Sequence, residues 1–568
     1  MASTAGDNPH AWGLVLREIW RRTRQRIRVG PLYRWRFSGR TPERVLIAPP
    51  DLRPADPHIA EEIYSGRFLL GGHVVETGGQ SPFSLDIASY PWNEALHSFK
   101  WLRHMRAAGT DLASANARAL LRDWIMTHGS HVGGLAWQPG VTATRIIAWL
   151  QHSTVVLQGC ELPFYRAFMR SLAMQLRYLR TLAPDMPDGE DRLRARIALA
   201  LATLSLPQSA SSMRHAARNL ALELEHQILA DGGHISRSPL SVLDLLADLL
   251  PLRQTYANQG ETPPDALLHA VERMLPMLRF FRHADGNLAR FNGVGATSPD
   301  HVMAVLQHDE TQGSPVLHAP HSGFDRLAMG GVTVIADTGA APPVDVAGRA
   351  HAGFLSFEMS SGRHNIIVNC GVDQYGPEDY RPLARATAAH STATLNDRSS
   401  ARFSNDGWQR DMIGSPLVGG PKKAVSDRRD EAGRQSFVAT HDGYVSRFGV
   451  VHERSLTLRE NGMILDGSDR FTRPSGEPAK AGKDVVSVRF HVHPEISVYK
   501  DEHGQVTLAA PGGEVWVFTA SGPPPLIEDS IFFAGLAGPL KTRQFVISFN
   551  ASEVPEIHWR LTRIAAAG

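Results

Sequence analysis

The hydrophobic period of this chain changes once, near residue 310, and that change constrains its fold more than any other feature. From about Trp92 to Phe281 apolar residues recur three or four apart. Leu96, Phe99 and Leu102 form one such set, and Leu120, Leu121, Trp124 and Ile125 another; Ile146, Ile147 and Leu150 follow, then Leu220, Leu224 and Ile228. These are helix periods. Gly109, Gly129 and Gly159 each follow such a run, where a glycine closes a helix. The spacing predicts roughly eight to ten helices in short-looped hairpins, arranged as a solenoid or a closed toroid. After residue 310 the runs are short and β-rich: "GGVTVIADTG" (330–339), "HNIIVNCG" (364–371), "RSLTLRENGMILDG" (454–467), "DVVSVRFHVHP" (484–494), "EVWVFTA" (514–520) and "RQFVISF" (543–549). "RENGM" is an Asn-Gly hairpin signal. Many short strands at this spacing predict an antiparallel β-sandwich.

A chain of 568 residues cannot bury a single core, because cores stop growing at roughly 250–300 residues. The expected architecture is therefore multidomain, α then β. A basic segment at 1–45 leads, a helical domain spans 46–310, and a β-sandwich spans 311–568, with the joint near "FNGVGATSPD" (291–300).

Charge narrows the partners. The chain has 59 basic and 57 acidic residues, a net charge of +2, so nucleic acid is not an expected partner. The stretch Arg17–Arg40 is the exception. It is rich in arginine, its single acid is Glu18, and Trp20, Tyr33 and Trp35 interleave it. Two readings apply: a segment that meets a membrane surface or a polyanion, or a helix packed on the body with a solvated basic face. Cys160 and Cys370 are too few for a disulfide framework. No stretch reaches the roughly 18 apolar residues of a membrane span. No apolar core of an export signal follows the arginines, so the expected location is cytoplasmic. The sequence sets no oligomeric state.

Three groups carry chemistry. "LADGGHISRSP" (229–239) presents His234 and Arg237 from a turn between helices, where both can face one anionic group or simply cap the loop. "SYPWNEALHSFKWLRH" (89–104) and "AWQPGVTATRIIAWL" (136–150) carry Trp92, Trp101, Trp137 and Trp149, with Arg145 nearby. Trp92 and Trp137 are candidates to line a saccharide groove, although tryptophan at helical spacing also fits a core. The third group is a histidine series, His351, His390, His441, His452, His491 and His493, with Tyr444 and Arg454 among it. Glu223 and Glu225 lie two apart on a helix and face different ways, so they do not make a hydrolytic carboxylate pair.

Two stretches together resemble a known family. "HAGFLSFEMSSGRHNIIVNCG" (351–371) followed by "RATAAHSTATLND" (385–397) resembles the C-terminal domain of the heparinase II/III-like polysaccharide lyases. "DGGHISRSP" (231–239) and "ADGNLARFNG" (284–293) look like that family's toroid. The resemblance implies an (α/α) toroid followed by an antiparallel β-sandwich, and β-elimination on an acidic, uronic-acid-containing glycan in the cleft between them. That reaction needs a group to neutralise the uronate carboxylate, a base, and an acid for the leaving oxygen. His234 matches the toroid His or Asn. Arg349 stands where the family has the first His of Gly-His-x-His, and with Arg237 it would bind the carboxylate. The family's toroid Tyr has no clear counterpart; Tyr256 and Tyr444 are the substitutes, and Tyr444 is taken as the acid. The family's zinc ligands fall on His351, Asn369 and His390, with Asn369 in place of an Asp; without zinc the two histidines are expected to hydrogen-bond through Asn369 as a structural pair. The alternative is a glycan-binding relative that has lost the Tyr/His pair and is non-catalytic or differently catalytic.

Overall fold

The computed structural model describes residues 9–30, 37–130, 132–309, 313–404, 407–480, 484–502 and 505–564. Tyr33 and Trp35 lie outside the described residues. Helices fill the first half and antiparallel sheets the second, as the change of period predicts. The helical domain runs from Pro57–Tyr64 to Pro299–Leu306 and includes Tyr90–Ser98, Pro139–Gln151, Leu162–Leu182, Glu190–Ser205, Ala210–Gln227, Pro239–Asn258 and Asp265–Phe281. Gly109 ends the Leu102–Ala108 helix at φ 61°, the left-handed conformation that suits glycine.

The tryptophans build the helical core. Trp92, Trp124, Trp137 and Trp149 are all buried, and Trp124 packs edge-on against Trp149 at 5.6 Å. The Arg145 guanidinium lies over the Trp124 ring at 4.1 Å and donates to the carbonyls of His97 and Ala136 and to Gln175 Oε1. Its donors are spent on the core.

The sandwich has two sheets. One has eight strands, in the order Ala424–Glu431, Arg434–His441, Val451–Arg459, Ile464–Thr472, Glu556–Ile564, Val515–Ala520, Val506–Ala509 and Ser497–Lys500. The other has nine; Leu540–Asn550, Val485–Val492, His364–Val368, Phe357–Ser361 and Val332–Asp337 are consecutive in its middle. Along Val451–Arg459 buried and part-exposed positions alternate, the signature of a strand with one face on a core. The Asn-Gly hairpin forms where "RENGM" places it, with Glu460 and Asn461 both at positive φ. Phe357, Phe490, Phe518, Phe545 and Trp559 interlock between the sheets.

The domains are bolted together by buried polar side chains. Arg326 donates to the carbonyls of Phe280 and Arg282, Asp231 accepts from Ser322, and His283 meets Glu358 and Ser360.

Candidate functional site

The candidate site is built where helix N-termini converge, on the toroid side of the Val344–Arg349 turn. Tyr90 begins one helix and donates to Gln138 Oε1 (2.9 Å), at the start of the Pro139–Gln151 helix. Asp191 lies against Gly140, whose missing side chain makes room for it. Glu190, the first residue of its helix, accepts from Ser241 Oγ (2.6 Å) in the first turn of the Pro239–Asn258 helix. Each helix start presents unpaired N–H groups and a positive dipole end, so acids collect there.

Arg349 reaches into this ring from the sandwich side, at the end of the Val344–Arg349 turn. Its Nη1 donates to Glu190 Oε1 (3.3 Å) while its side chain stays 54% exposed, so the rest of the guanidinium faces water. A chain of buried ion pairs runs inward: Glu190 to Arg194 (3.8 Å), Arg194 to Asp248 (3.1 Å), Asp248 to Arg53 (2.7 Å) and Arg53 to Asp51 (3.4 Å), and it ends where His152 Nε2 meets Asp51 (3.3 Å). Burial opposes ionisation of Glu190, but Arg349 and Arg194 outweigh it and hold the carboxyl down to about 2. Beneath lies a cavity of about 10 Å³, lined by Lys100, Arg53, Arg194 and Asp248 among others. That is room for one water, not a sugar ring. Burial, with Arg194 and Arg53 nearby, brings the Lys100 ammonium down to about 8.

His234 is close to this ring but turned away from it. It is 1% exposed. Its Nε2–H donates to Gln227 Oε1 (2.9 Å), an oxygen identified because the Gln227 amide nitrogen donates to Glu223. Its Nδ1 accepts the Ser236 N–H and meets Ser236 Oγ at 2.7 Å. Ser236 leads to Ser241 and so to Glu190, which makes His234 the inner end of a hydrogen-bond chain and not a cleft-facing group. Burial drives its pKa down to about 4, so it is neutral at pH 7.

The other expected site residues lie elsewhere. Tyr444 is buried in the sandwich core, donates to the Ala393 carbonyl (2.7 Å), and is not placed with His234 or Arg349. Arg237 does not face a substrate; all its nitrogens are used at the domain junction. It donates to the carbonyls of Ser322, Ala340 and Gly323 and to Asp337 Oδ1 (2.5 Å). Trp92 and Trp137 line no groove, for both are core and their indole N–H groups go to the Phe68 and His128 carbonyls. Helical spacing alone does not separate a core tryptophan from a groove tryptophan. Sequence reading missed Glu190 and Arg194, although "DGEDRLRAR" (188–196) carries the signal: a helix start with acids in its first turn and an i,i+4 Glu–Arg pair. It also missed Tyr375, a half-exposed side chain packed over Gly72, with Glu94, Arg103 and Arg349 close enough to act on its phenol.

Two comparisons bear on identity. Residues 311–560 match the heparinase II/III-like C-terminal domain. Over 548 residues the chain is 30% identical to FtsZ-localized protein C of Caulobacter vibrioides, covering 94% of this chain and 92% of that protein. The chain belongs to the heparinase II/III-like family. Among solved structures, heparinase III superposes with a TM-score of 0.70 at 13% identity, covering 98% of this chain and 92% of that one. Heparan sulfate lyase HepC from Pedobacter heparinus gives 0.60 at 17%, covering 98% and 89%. At those identities the likeness is one of fold: a toroid followed by a β-sandwich.

The family implies zinc on His351, Asn369 and His390, and these donors do not fit it. His351 Nε2 accepts the Gly293 N–H (3.1 Å), so its Nδ1 carries the proton and donates to His390 Nε2 (2.9 Å). His390 Nδ1–H donates in turn to the Ala386 carbonyl (2.8 Å). All four ring nitrogens are thus engaged without an ion. Asn369 Oδ1, the third expected donor, accepts the Ser391 N–H, and the amide carries none of the charge of the carboxylate it replaces. Among the described residues no group of three or more His, Cys, Asp or Glu side chains is placed to hold a metal. The pair reads as a buried, neutral clip between the Gly293 loop and the segment around Ala386.

Proposed function

We propose that this protein binds an acidic saccharide in the cleft at Arg349 and does not cleave it by β-elimination. The observation that carries this is the state of His234. A base or carboxylate partner must meet the sugar, yet His234 is buried, saturated on both nitrogens and neutral. Glu190 is no substitute acid, since a carboxyl held near 2 carries no proton at pH 7. Arg349 is a cation that no longer works as a base but pairs well with a carboxylate or sulfate. The Caulobacter relative is named for its localisation with FtsZ and not for a lyase activity. We extend that location to this chain, so the saccharide is one met in the compartment FtsZ occupies.

Incubation with a panel of uronic-acid oligosaccharides and polysaccharides tests this. The expected result is no rise in the ultraviolet absorbance of an unsaturated uronate. A rise that His234→Ala abolishes would restore the lyase reading.

A further inference from the structure

The N-terminal helix, Pro9–Val29, is fixed to the body by one face only. Val15 is buried. Arg22 Nη2 donates to the Met412 carbonyl (2.7 Å), and Arg28 pairs with Asp185 and reaches the Thr181 carbonyl. Glu18, on the same side, binds Arg21 and Arg22. These contacts set the rotation of the helix and so decide what points outward.

What points outward is apolar. Trp12 is 51% exposed, Leu16 63%, Ile19 43%, Trp20 68% and Ile27 56%. Their positions, i, i+4, i+7, i+8 and i+15, form one stripe along a helix. Trp408, on the neighbouring Gly407–Ile413 helix, stacks near Trp12 (5.1 Å between rings) and is itself half-exposed, so the patch widens there. Exposed Arg17 and Arg24 border the stripe on one side, each also reaching an acid of the body (Asp345 at 3.9 Å and Asp185 at 3.4 Å), and exposed Arg26 borders it on the other. A helix that only covers the body carries its polar residues on the outside. This one sets an apolar stripe between exposed arginines, so its outer face is not only the solvated basic face that the arginine count suggests.

We propose that this face docks the protein on the surface of a bilayer containing anionic phospholipid. The Trp, Leu and Ile side chains enter the boundary between headgroups and acyl chains, and the flanking arginines pair with lipid phosphates. Tryptophan suits that boundary, having an apolar body and a polar N–H. The helix lies on the surface and does not cross it; among the described residues no helix is long and apolar enough to span a membrane. Two other occupants fit less well. A nucleic acid or other polyanion would use the arginines and leave the stripe in water. A second copy would bury the stripe but set Arg17, Arg24 and Arg26 against their own kind.

Co-sedimentation of the full chain with phosphatidylcholine vesicles, with and without phosphatidylglycerol, tests the assignment. The wild type is expected to sediment with the anionic vesicles, less so as salt rises, and weakly with the neutral ones. Trp12→Glu and Trp20→Glu should each weaken binding at least roughly tenfold. Arg24→Glu and Arg26→Glu should each cost roughly fivefold on anionic vesicles and little on neutral ones. Trp20 and Arg26 are exposed, so the melting temperatures of their variants should match the wild type and exclude misfolding; Trp12 also packs on Trp408 and Arg24 also pairs with Asp185 (3.4 Å), so those two variants are compared at equal folded fraction. A wild type that ignores anionic vesicles would overturn the proposal, as would tryptophan variants that bind like it. Binding to a DNA duplex that falls with the arginine changes but not the tryptophan changes would assign the face to a polyanion. A molecular mass that drops in the tryptophan variants, with vesicle binding unchanged, would assign it to a second copy.

Discussion

Arg237→Ala is expected to destabilise the folded chain by about 3–5 kcal/mol, the cost of leaving a buried charge without its partner. Arg237 sits in the turn between two toroid helices at φ 59°, and its guanidinium crosses into the sandwich. Three carbonyls and the Asp337 carboxylate receive its protons, and all lie in the sandwich. Gly323 and Gly339 are shaped around it: a Cβ at Gly339 would fall 2.5 Å from Nη2. Asp337 is fully buried, and burial already pushes its pKa up against the pull of Arg237. Without the arginine that rise grows. A carboxyl raised in the folded state favours folding below its unfolded pKa and loses that advantage as pH climbs through the folded value. The deficit of the variant relative to the wild type should therefore be largest at neutral pH and shrink in mild acid. Lysine cannot supply the planar fork, so Arg237→Lys should recover little. The urea midpoint reports all three outcomes. A midpoint equal to the wild type would return Arg237 to the pool of saccharide-binding residues.

The second large effect is acid lability set by histidine. Burial foremost holds His97 and His491 down to about 3 and His234, His390 and His493 down to about 4, and it keeps His351 and His441 well below the ordinary value. An unfolded chain protonates its histidines near 6.5. The folded chain resists, so the unfolded state binds more protons across the window from about 6.5 down to 4, and stability falls through it. One histidine shifted from 6.5 to 4 is worth up to about 3 kcal/mol at the acid end. A few of these match the whole stability of an ordinary domain, about 5–15 kcal/mol. The melting temperature should be flat above about pH 7 and drop steeply below about 6, ending in unfolding before pH 4. A profile level down to pH 4.5 would mean that these histidines are solvated.

The order of architectures was legible because a period of 3.6 and a period of 2 leave different marks, and because "RENGM" has one favoured turn. The nearness of His351 and His390 was legible, but not the way they meet: they bond directly, and not through zinc or Asn369, whose Oδ1 takes the Ser391 N–H. Their other partners were not legible either, since the atoms that satisfy them are backbone groups of Gly293 and Ala386. The role of Arg237 was hidden for the same reason, its carboxylate lying a hundred residues on. Trp92 and Trp137 show a limit of spacing, which locates a helix face but not what covers it. The N-terminal helix shows the converse. Its arginines are plain in the sequence, yet Trp12, Leu16 and Trp20 are outward only once Val15, Arg22 and Arg28 are known to be inward.

The most direct test of the central claim is a calorimetric titration of an acidic oligosaccharide and its neutral counterpart into the wild type and Arg349→Ala, with the sugar recovered and weighed by mass spectrometry afterwards. The account predicts that the acidic sugar binds the wild type, that Arg349→Ala weakens it roughly tenfold or more with little change for the neutral sugar, and that the sugar returns with its mass unchanged. Equal weakening for both sugars, or recovery of unsaturated fragments, would contradict it.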